Sequence, residues 1–441
     1  MHHDICVLSC YGTRDPHILS FLNTLAAALD ARGVKLLVLG TTPDPALDCL
    51  YLEIPYLLSG FDAAFHDRGE GPFHPVAPTR MSEEDQAAHP QDDAGIARGI
   101  AKCEAFYSAI GTVLNPCVGL LWNTTLPHGR IARNTLGAMG VPSYCLERGW
   151  LPKSFQLHTV ENNGFNDFFT DFTLNQGLRR ILNSYGAMAQ PFDSAAAYYR
   201  AEAVQKYDAG AKVDRAALRA KYGVGEDRLV VCFAATAGSS VGRHTMPAMA
   251  YSSPLFEGVN AALEVLHALL RPYPDVRVLV QEHPIQKIIN KPATMPPGFI
   301  RSDGENIHTL LEAADQYAFI GTTSIQTEAL LHDKPRLSMS RYPASLAGAS
   351  YGLVEEGEAA VADWMAHAHA ERCRFNARGL VNYLCAERLI RDETLPAFIE
   401  HDVNHLAGFI AGLSRPNRLS VDERLGALIE RIGELLNHQA N

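Results

Sequence analysis

The chain has 441 residues, 47% of them hydrophobic, which is enough to bury one large core or two smaller ones. Its formal net charge of −11 and pI near 5.9 argue against general nucleic-acid binding, which needs a cationic surface. The nine cysteines form no CxxC pair, which indicates reduced thiols, and the sequence contains no signal peptide and no apolar run of about 20 residues. We therefore expect a cytoplasmic protein, with peripheral attachment to the inner membrane left open.

The first part of the sequence predicts a β-α-β unit. Residues 4–9 form a short apolar strand, a helix follows from about residue 16 to residue 32, and residues 34–39 form the next strand. This order implies a parallel sheet. Residues 60–95 are rich in Gly, Pro and charge, which is typical of a solvated insertion, a binding loop or a lid.

Polar residues follow two further predicted strands. The strand at 118–122 leads through Asn123 and Pro127-His128-Gly129-Arg130 into a helix, and the strand at 143–146 ends in Glu147 and Arg148. A tight turn at Asn163-Gly164 then lies beside Glu161. Either carboxylate alone could be a helix cap or a surface charge, but their common edge favours a functional role for at least one of them.

A mixed-charge helical connector at about 170–225 separates this half from a second run of strands. The strand at 228–235 ends in small residues that resemble a phosphate-binding loop only weakly. The strand at 276–280 leads to His283-Pro284, and the strand at 317–320 leads to Gly321, Thr322, Thr323 and Ser324. Helical patterns continue over 355–395 and 420–437, the latter with an apolar stripe of Val421, Leu425, Leu428, Ile429, Ile432 and Leu436.

Ligands bind where the carboxyl ends of parallel strands meet, so the two polar strand ends of the second half predict a nucleotide-sized anion site. His283 could donate to a phosphate, and Pro284 would fix the loop. The hydroxyls of Thr323 and Ser324 and the following helix N-terminus would bind the same anion. Glu328 could accept from ribose hydroxyls. The alternative is an ordinary Thr/Ser helix cap with an acidic first turn.

The passage WNTTLPHGRIARNTLGAMGVPSYCLERGWLPKSFQLHTVENNGFN resembles bacterial capsular-polysaccharide glycosyltransferases, a family that includes the retaining β-Kdo transferases. The second half adds VLVQEHP and ADQYAFIGTTSIQTEALLHDKP, which are similar to the family's "HP" and "S…E" motifs. The resemblance covers roughly residues 115–340. The stretch AATAGSSVGRHTMPAMAYSSP departs from the family pattern, which leaves the detailed nucleotide contacts open.

The resemblance implies an α/β fold of the GT-B class, with two Rossmann-like domains facing across a cleft and C-terminal helices. We expect an acceptor domain over 1–210, a domain binding the CMP-sugar over 211–375, and helices over 376–441 that could cross back to the first domain. The donor would be a CMP-activated sugar, Kdo or a related ulosonic acid, and the acceptor a glycan or glycolipid. No metal or other cofactor is expected, because the departing CMP phosphate needs positioned donors rather than an ion.

Roles follow from matching motif positions. Glu161 is the candidate nucleophile of a retaining reaction, and Glu147 the candidate acid/base. Arg148 and Arg130 could bind the donor carboxylate, with Asn123, His128 and Asn166 completing the substrate site. Two other classes stay open. One is a different GT-B enzyme, such as a nucleotide-sugar 2-epimerase or a CDP-glycerol-type transferase, and the other is a non-catalytic glycan-binding assembly protein.

Overall fold

The protein forms two sheets flanked by helices. The structure, a computed structural model, describes residues 3–9, 16–40, 44–53, 101, 103–122, 127–149, 151, 154–159, 183–188, 192–201, 211–234, 255–256, 258–282, 292–321, 323–385, 389–391, 401–415 and 417–437.

Fourteen strands occur in these ranges. They are β1 (Asp4–Ser9), β2 (Val34–Gly40), β3 (Leu50–Glu53), β4 (Val118–Trp122), β5 (Ser143–Arg148), β6 (Ser154–Thr159), β7 (Arg228–Ala234), β8 (Val276–Glu282), β9 (Phe299–Arg301), β10 (Gln316–Phe319), β11 (Arg336–Ser338), β12 (Tyr351–Gly352), β13 (Leu389–Arg391) and β14 (His401–Asp402).

The helices of the described ranges lie between and after these strands. They are α1 (Pro16–Asp30), α2 (103–109, continuing as a π-helix over Ile110–Leu114), α3 (Pro127–Ala138), α4 (Phe192–Ala201), α5 (Arg215–Lys221), α6 (Gly258–Leu270), α7 (Ile307–Ala313), α8 (Ile325–Ala329), α9 (Pro343–Leu346), α10 (Leu353–Glu356), α11 (Ala359–Ala366), α12 (Ala370–Tyr383), α13 (Val403–Ala411) and α14 (Val421–Asn437).

The first sheet has the strand order β14-β13-β6-β5-β4-β1-β2-β3. Strands β3, β2, β1, β4 and β5 are parallel neighbours, whereas β6 runs antiparallel to both β5 and β13. The central strands are apolar on both faces, because helices cover both sides of the sheet. Helix α1 packs Leu22, Leu25 and Leu29 on one face, while α2 and α3 cover the other.

The second sheet is wholly parallel, with the strand order β12-β11-β10-β7-β8-β9. Its centre is the apolar strand β7, between β10 and β8. Parallel strands need crossover connections, and helices α6 and α7 provide them on opposite faces. The two Rossmann-like sheets, the first mostly and the second wholly parallel, confirm with their helices the predicted α/β fold class.

The last part of the described chain packs on the first sheet. Strand β13 pairs with β6, α13 packs against α1, and α14 packs against the π-helical end of α2. Residues 377–383 of α12 contribute to a hydrophobic cluster that contains residues of both halves, among them Ala195 and Leu330. The boundaries 1–210, 211–375 and 376–441 stay predictions.

Two details of the C-terminal prediction are wrong. Ile429 is 61% exposed and lies outside the apolar stripe of α14, where Leu428 is the fully buried residue. The predicted helical pattern over 355–395 is divided among α10, α11 and α12, and His367 and His369 both adopt positive φ between the last two. Residues 389–391 form strand β13 rather than helix.

Eight cysteines lie in described ranges and all are free thiols. Burial raises the pKa of Cys49 and of Cys117 to about 12, so these thiols stay protonated at neutral pH. Among the described helices, none is both long and apolar enough to cross a bilayer.

Candidate functional site

The turn after β10 lies near the middle of the carboxyl edge of the second sheet. It comprises residues 321–324 and begins with Gly321, whose φ of +74° favours glycine. The backbone N–H of Gly321 donates to Ser340 Oγ at 2.9 Å, a residue that follows the neighbouring strand β11. The turn is thus connected to the next strand end by a side chain.

Gln326, on helix α8, forms a hydrogen bond to the same turn. Its side chain is fully buried, donates from Nε2 to the Gly321 carbonyl at 3.0 Å, and accepts from Ser338 Oγ at 2.7 Å. A buried amide with both ends satisfied is well ordered, because breaking either bond would leave a polar group unpaired. These two bonds connect the carbonyl of Gly321 to α8 and α8 to the end of β11.

The three described residues of the predicted nucleotide set lie together here. Thr323 is 8% exposed and accepts a long 3.4 Å contact from the N–H of Ile325 through Oγ1. Ser324 is half-buried and makes no side-chain cap, so the ordinary helix-cap alternative does not describe its hydroxyl. Helix α8 has only five residues, so its dipole contributes little to anion binding.

Glu328 is 6% exposed on α8, a degree of burial that is rare for a carboxylate. The neighbouring Thr327 Oγ1 lies 3.2 Å from the hydroxyl of Tyr342. Burial raises the pKa of Tyr342, and the nearby Glu328 charge raises it further. Tyr342 therefore remains a neutral hydrogen-bonding group beside the carboxylate.

Two charged residues at this edge escaped the sequence analysis. Arg341 follows β11, and Glu355 follows β12 in α10. Arg341 Nε lies 3.9 Å from Glu355 Oε1. Burial raises the pKa of Glu355, and the Arg341 guanidinium opposes that rise only partly. They follow strands of only three and two residues, in RLSMSRYP and YGLVEE, which are too short to be recognised from a periodic pattern.

The polar end of β8 is used structurally. Gln281 Oε1 accepts from Ser302 Oγ at 2.6 Å, and Glu282 accepts from the N–H of Ala293 at 2.5 Å while pairing with Arg301. These two side chains hold the segment 293–302 against the strand. The predicted ligands His283 and Pro284 that follow lie outside the described residues, as does Thr322 of the next strand end.

The structure describes some of the residues that the sequence places at the carboxyl edge of the first sheet. Arg148 is half-buried at the end of β5 and pairs with Phe155 of β6. The Phe155 ring stacks on Phe21 at 3.8 Å and on His17 at 4.9 Å between ring centroids. Since paired strand residues lie on one face, Arg148 is placed on the face covered by α1.

The remaining predicted residues of this edge are placed by backbone alone or lie outside the described ranges. Glu147 is in β5, and His128 and Arg130 are in the first turn of α3, immediately after β4. These positions are at the carboxyl edge, as expected. Residues Asn123, Glu161 and Asn166 lie outside the described ranges, and the catalytic roles of Glu147 and Glu161 stay predictions.

A hydrophobic cluster joins the two carboxyl edges. It contains Leu151, three residues beyond Arg148, together with Leu330 at the end of α8 and Tyr342 beside Arg341. Leu151 is 1% exposed and accepts from Ser154 Oγ at 2.6 Å through its carbonyl. The segment after β5 and the segment after β11 thus share one core.

The described part of the chain holds no group of three or more His, Cys, Asp or Glu side chains arranged to bind a metal ion.

No protein-family model and no curated protein matches the sequence. Solved structures resemble it in fold. An Escherichia coli structure described as trehalose-6-phosphate bound with UDP-2-fluoro glucose is 12% identical, with 94% of this chain and 99% of that one covered and a TM-score of 0.46. A Streptomyces glycosyltransferase, SsfS6, is 13% identical over 92% and 99%, with a TM-score of 0.35.

A Listeria monocytogenes protein assigned as a UDP-N-acetylglucosamine 2-epimerase is 14% identical, with 86% of this chain and 96% of that one covered and a TM-score of 0.35. The structural neighbours are thus glycosyltransferases and a 2-epimerase. Likenesses this distant carry no information on the substrate or on residue roles in this protein.

Proposed function

We propose that the protein is a glycosyltransferase that moves a sugar from a nucleotide-activated donor to a glycan or glycolipid acceptor. The observation that carries the proposal is the hydrophobic cluster in which Leu151 meets Leu330 and Tyr342. It joins the candidate donor edge of the second sheet to the candidate acceptor edge of the first. Group transfer requires this proximity, because both substrates must be held in contact.

The proposed donor is a CMP-linked ulosonic acid such as Kdo, used in capsule or other surface-polysaccharide synthesis with retention at the anomeric carbon. The ordered motifs of residues 115–340 support it. In this proposal the turn with Thr323 and Ser324 receives the nucleotide, and Glu328 accepts from the ribose hydroxyls. Arg148 binds the donor carboxylate, since a guanidinium pairs bidentately with a planar anion.

Nucleotide binding tests the donor class. A thermal-shift series with CMP, UDP, UMP and CDP is expected to show stabilisation by CMP alone. A UDP response would point to a 2-epimerase or another hexose enzyme, and no response to any nucleotide would favour a non-catalytic glycan-binding protein. Glu328→Gln should weaken CMP about tenfold, the value of a hydrogen bond to a charged group.

Glu312→Gln is the matched control for that variant. Glu312 lies on α7 near the amino ends of the strands, where it pairs with Lys212 at 2.5 Å. Its replacement should leave CMP binding unchanged. A Glu328→Gln protein that binds CMP as the wild type does would remove Glu328 from the site.

Transfer from CMP-Kdo tests the chemistry. Glu161→Gln and Glu147→Gln should each reduce the rate at least about a hundredfold, because general acid-base groups contribute on that scale. Rates within a few-fold of wild type in both variants would overturn the catalytic assignments.

A further inference from the structure

Arg341 is held in place by its two neighbours in sequence. Ser340 Oγ accepts from the Gly321 N–H at 2.9 Å, and the Tyr342 hydroxyl lies 3.2 Å from Thr327 Oγ1. Both side chains are buried against the turn 321–324 and α8. Their contacts fix the backbone of Arg341 next to the candidate nucleotide turn.

The guanidinium of Arg341 is only loosely paired within the described part of the chain. Its side chain is 34% exposed, and the Nε–Glu355 Oε1 separation of 3.9 Å is too long for a hydrogen bond. Among the residues that the structure describes, no hydrogen bond reaches this guanidinium, although a guanidinium has five N–H donors.

Arg336, five residues earlier, shows the contrast. It is 3% exposed and donates to the carbonyl oxygens of Ala329, His332 and Ala349 at distances of 2.7 to 3.3 Å. These bonds hold the end of α8 and the segment before β12, which is a structural role. Arg341 has no such set, and its donors are available for an oxyanion.

Glu355 keeps the guanidinium near the edge. The carboxylate is 24% exposed and packs against Gly352, where a Cβ atom would collide with it. Gly352 has an ordinary negative φ of −105°, so backbone strain does not require a glycine here. Glycine is required because the Glu355 carboxylate occupies the space that a Cβ atom would take. Arg341 and Glu355 therefore lie near each other without a hydrogen bond between them.

We propose that Arg341 binds the phosphate of the donor nucleotide, and that Glu355 competes with this phosphate for the guanidinium. The inference rests on the proposed function and extends it to a residue outside the sequence motifs. Bidentate pairing of guanidinium and phosphate supplies the recognition. The turn 321–324 and Glu328 then contact the remainder of the nucleotide.

Calorimetric binding of CMP and of cytidine, which lacks the phosphate, tests the proposal. Arg341→Gln should weaken CMP about tenfold or more and leave cytidine within about twofold, because one charge-assisted contact is lost. Arg374→Gln is the matched control: its partner Asp333, at 3.3 Å, lies before the amino end of β11, so CMP binding should not change.

Glu355→Gln tests the proposed competition between Glu355 and the phosphate. It removes the competitor with little change of shape, so CMP should bind about threefold more tightly, and Arg341→Gln combined with Glu355→Gln should match Arg341→Gln alone. An additive effect in the double variant would overturn the competition. Urea denaturation of each variant confirms that the fold is intact.

The outcomes separate this inference from the proposed function. If the wild type binds neither CMP nor another nucleotide, both fall. If the wild type binds CMP and Glu328→Gln weakens it while Arg341→Gln does not, only the inference falls. Equal losses of CMP and cytidine in Arg341→Gln would assign Arg341 a structural role and also overturn it.

Discussion

Charged residues at the strand ends of the second sheet differ in how closely they are paired. At the amino edge, Asp315 accepts from the Leu229 N–H at 2.8 Å and from Arg219 at 3.0 Å, and it also pairs with Arg215. At the carboxyl edge, Arg341 and Glu355 are 3.9 Å apart. At the end of β8 on this same edge, Glu282 pairs closely with Arg301, so the loose spacing belongs to Arg341 and Glu355 and not to the edge as a whole.

The largest effect on stability is expected from replacing Asp315, the closely paired carboxylate at the amino edge. Burial raises the pKa of Asp315, but the Leu229 N–H and the two guanidiniums outweigh it, so the pKa is lowered. Asp315→Ala removes these bonds and should cost about 3 kcal/mol of unfolding free energy, measured by urea denaturation. CMP binding of the folded variant should stay at the wild-type level.

Asp333→Ala is the control for this variant, because its pair with Arg374 is more than half exposed on both sides. The loss should be about 0.5 kcal/mol or less. Equal losses in the two variants would contradict the distinction between structural and loosely placed charges.

A smaller loss of stability is expected from replacing the glutamines near the two ends of strand β10. Gln326→Leu, beyond the carboxyl end of β10, leaves Gly321 O and Ser338 Oγ unpaired and should cost about 2 kcal/mol. Gln316→Leu, at the amino end of β10, breaks the 2.9 Å bond to the Trp364 carbonyl at a comparable cost. Only Gln326→Leu should weaken CMP, since only it loosens the turn, and equal CMP binding in the two variants would contradict this.

The smallest effect concerns Lys334, whose Nζ donates to the carbonyls of Leu311 and Glu312 at 2.7 Å. Burial lowers its pKa to about 8; Arg215 adds to this, while Asp315 and Glu312 oppose it. Between pH 8 and about 10.5 the unfolded state binds more protons at this group, so its contribution to stability rises with pH.

Comparison with Lys334→Met isolates this contribution from the other groups that titrate in the same range. The wild-type protein should gain about 1 kcal/mol relative to the variant between pH 8 and pH 9, read from urea denaturation at each pH. A difference independent of pH would show that the ammonium is already solvated in the folded state.

Much of the fold could be predicted from the sequence, because long apolar strands alternate with amphipathic helices. Strand β4 at 118–122 is observed as predicted, and β1, β2, β7, β8 and β10 are within one or two residues of the predicted bounds. The short strands were missed. Strand β12 has two residues and β11 begins with a buried arginine, so neither shows a periodic pattern.

The candidate site could be predicted only where a motif marked it. Thr323, Ser324 and Glu328 lie at one strand end, as the sequence indicated. Arg341 and Glu355 required the sheet order, because β11 and β12 become neighbours of β10 only in three dimensions. Gln326 was missed for another reason: its bonds to Gly321 and Ser338 depend on burial, which the pattern of a five-residue helix does not reveal.

The way the chain closes on itself has a consequence for biosynthesis. Asp4, at the start of the central strand β1, accepts from Asn417 at 3.1 Å and from Ser414, and buried Arg424 donates to the Leu114 carbonyl at 2.8 Å. On the ribosome, the first sheet therefore lacks these partners, and its strands β13 and β14, until residues 389–424 have been synthesised. The second sheet, complete by residue 352, has all its strands earlier, so the half that is synthesised first is the half that matures last.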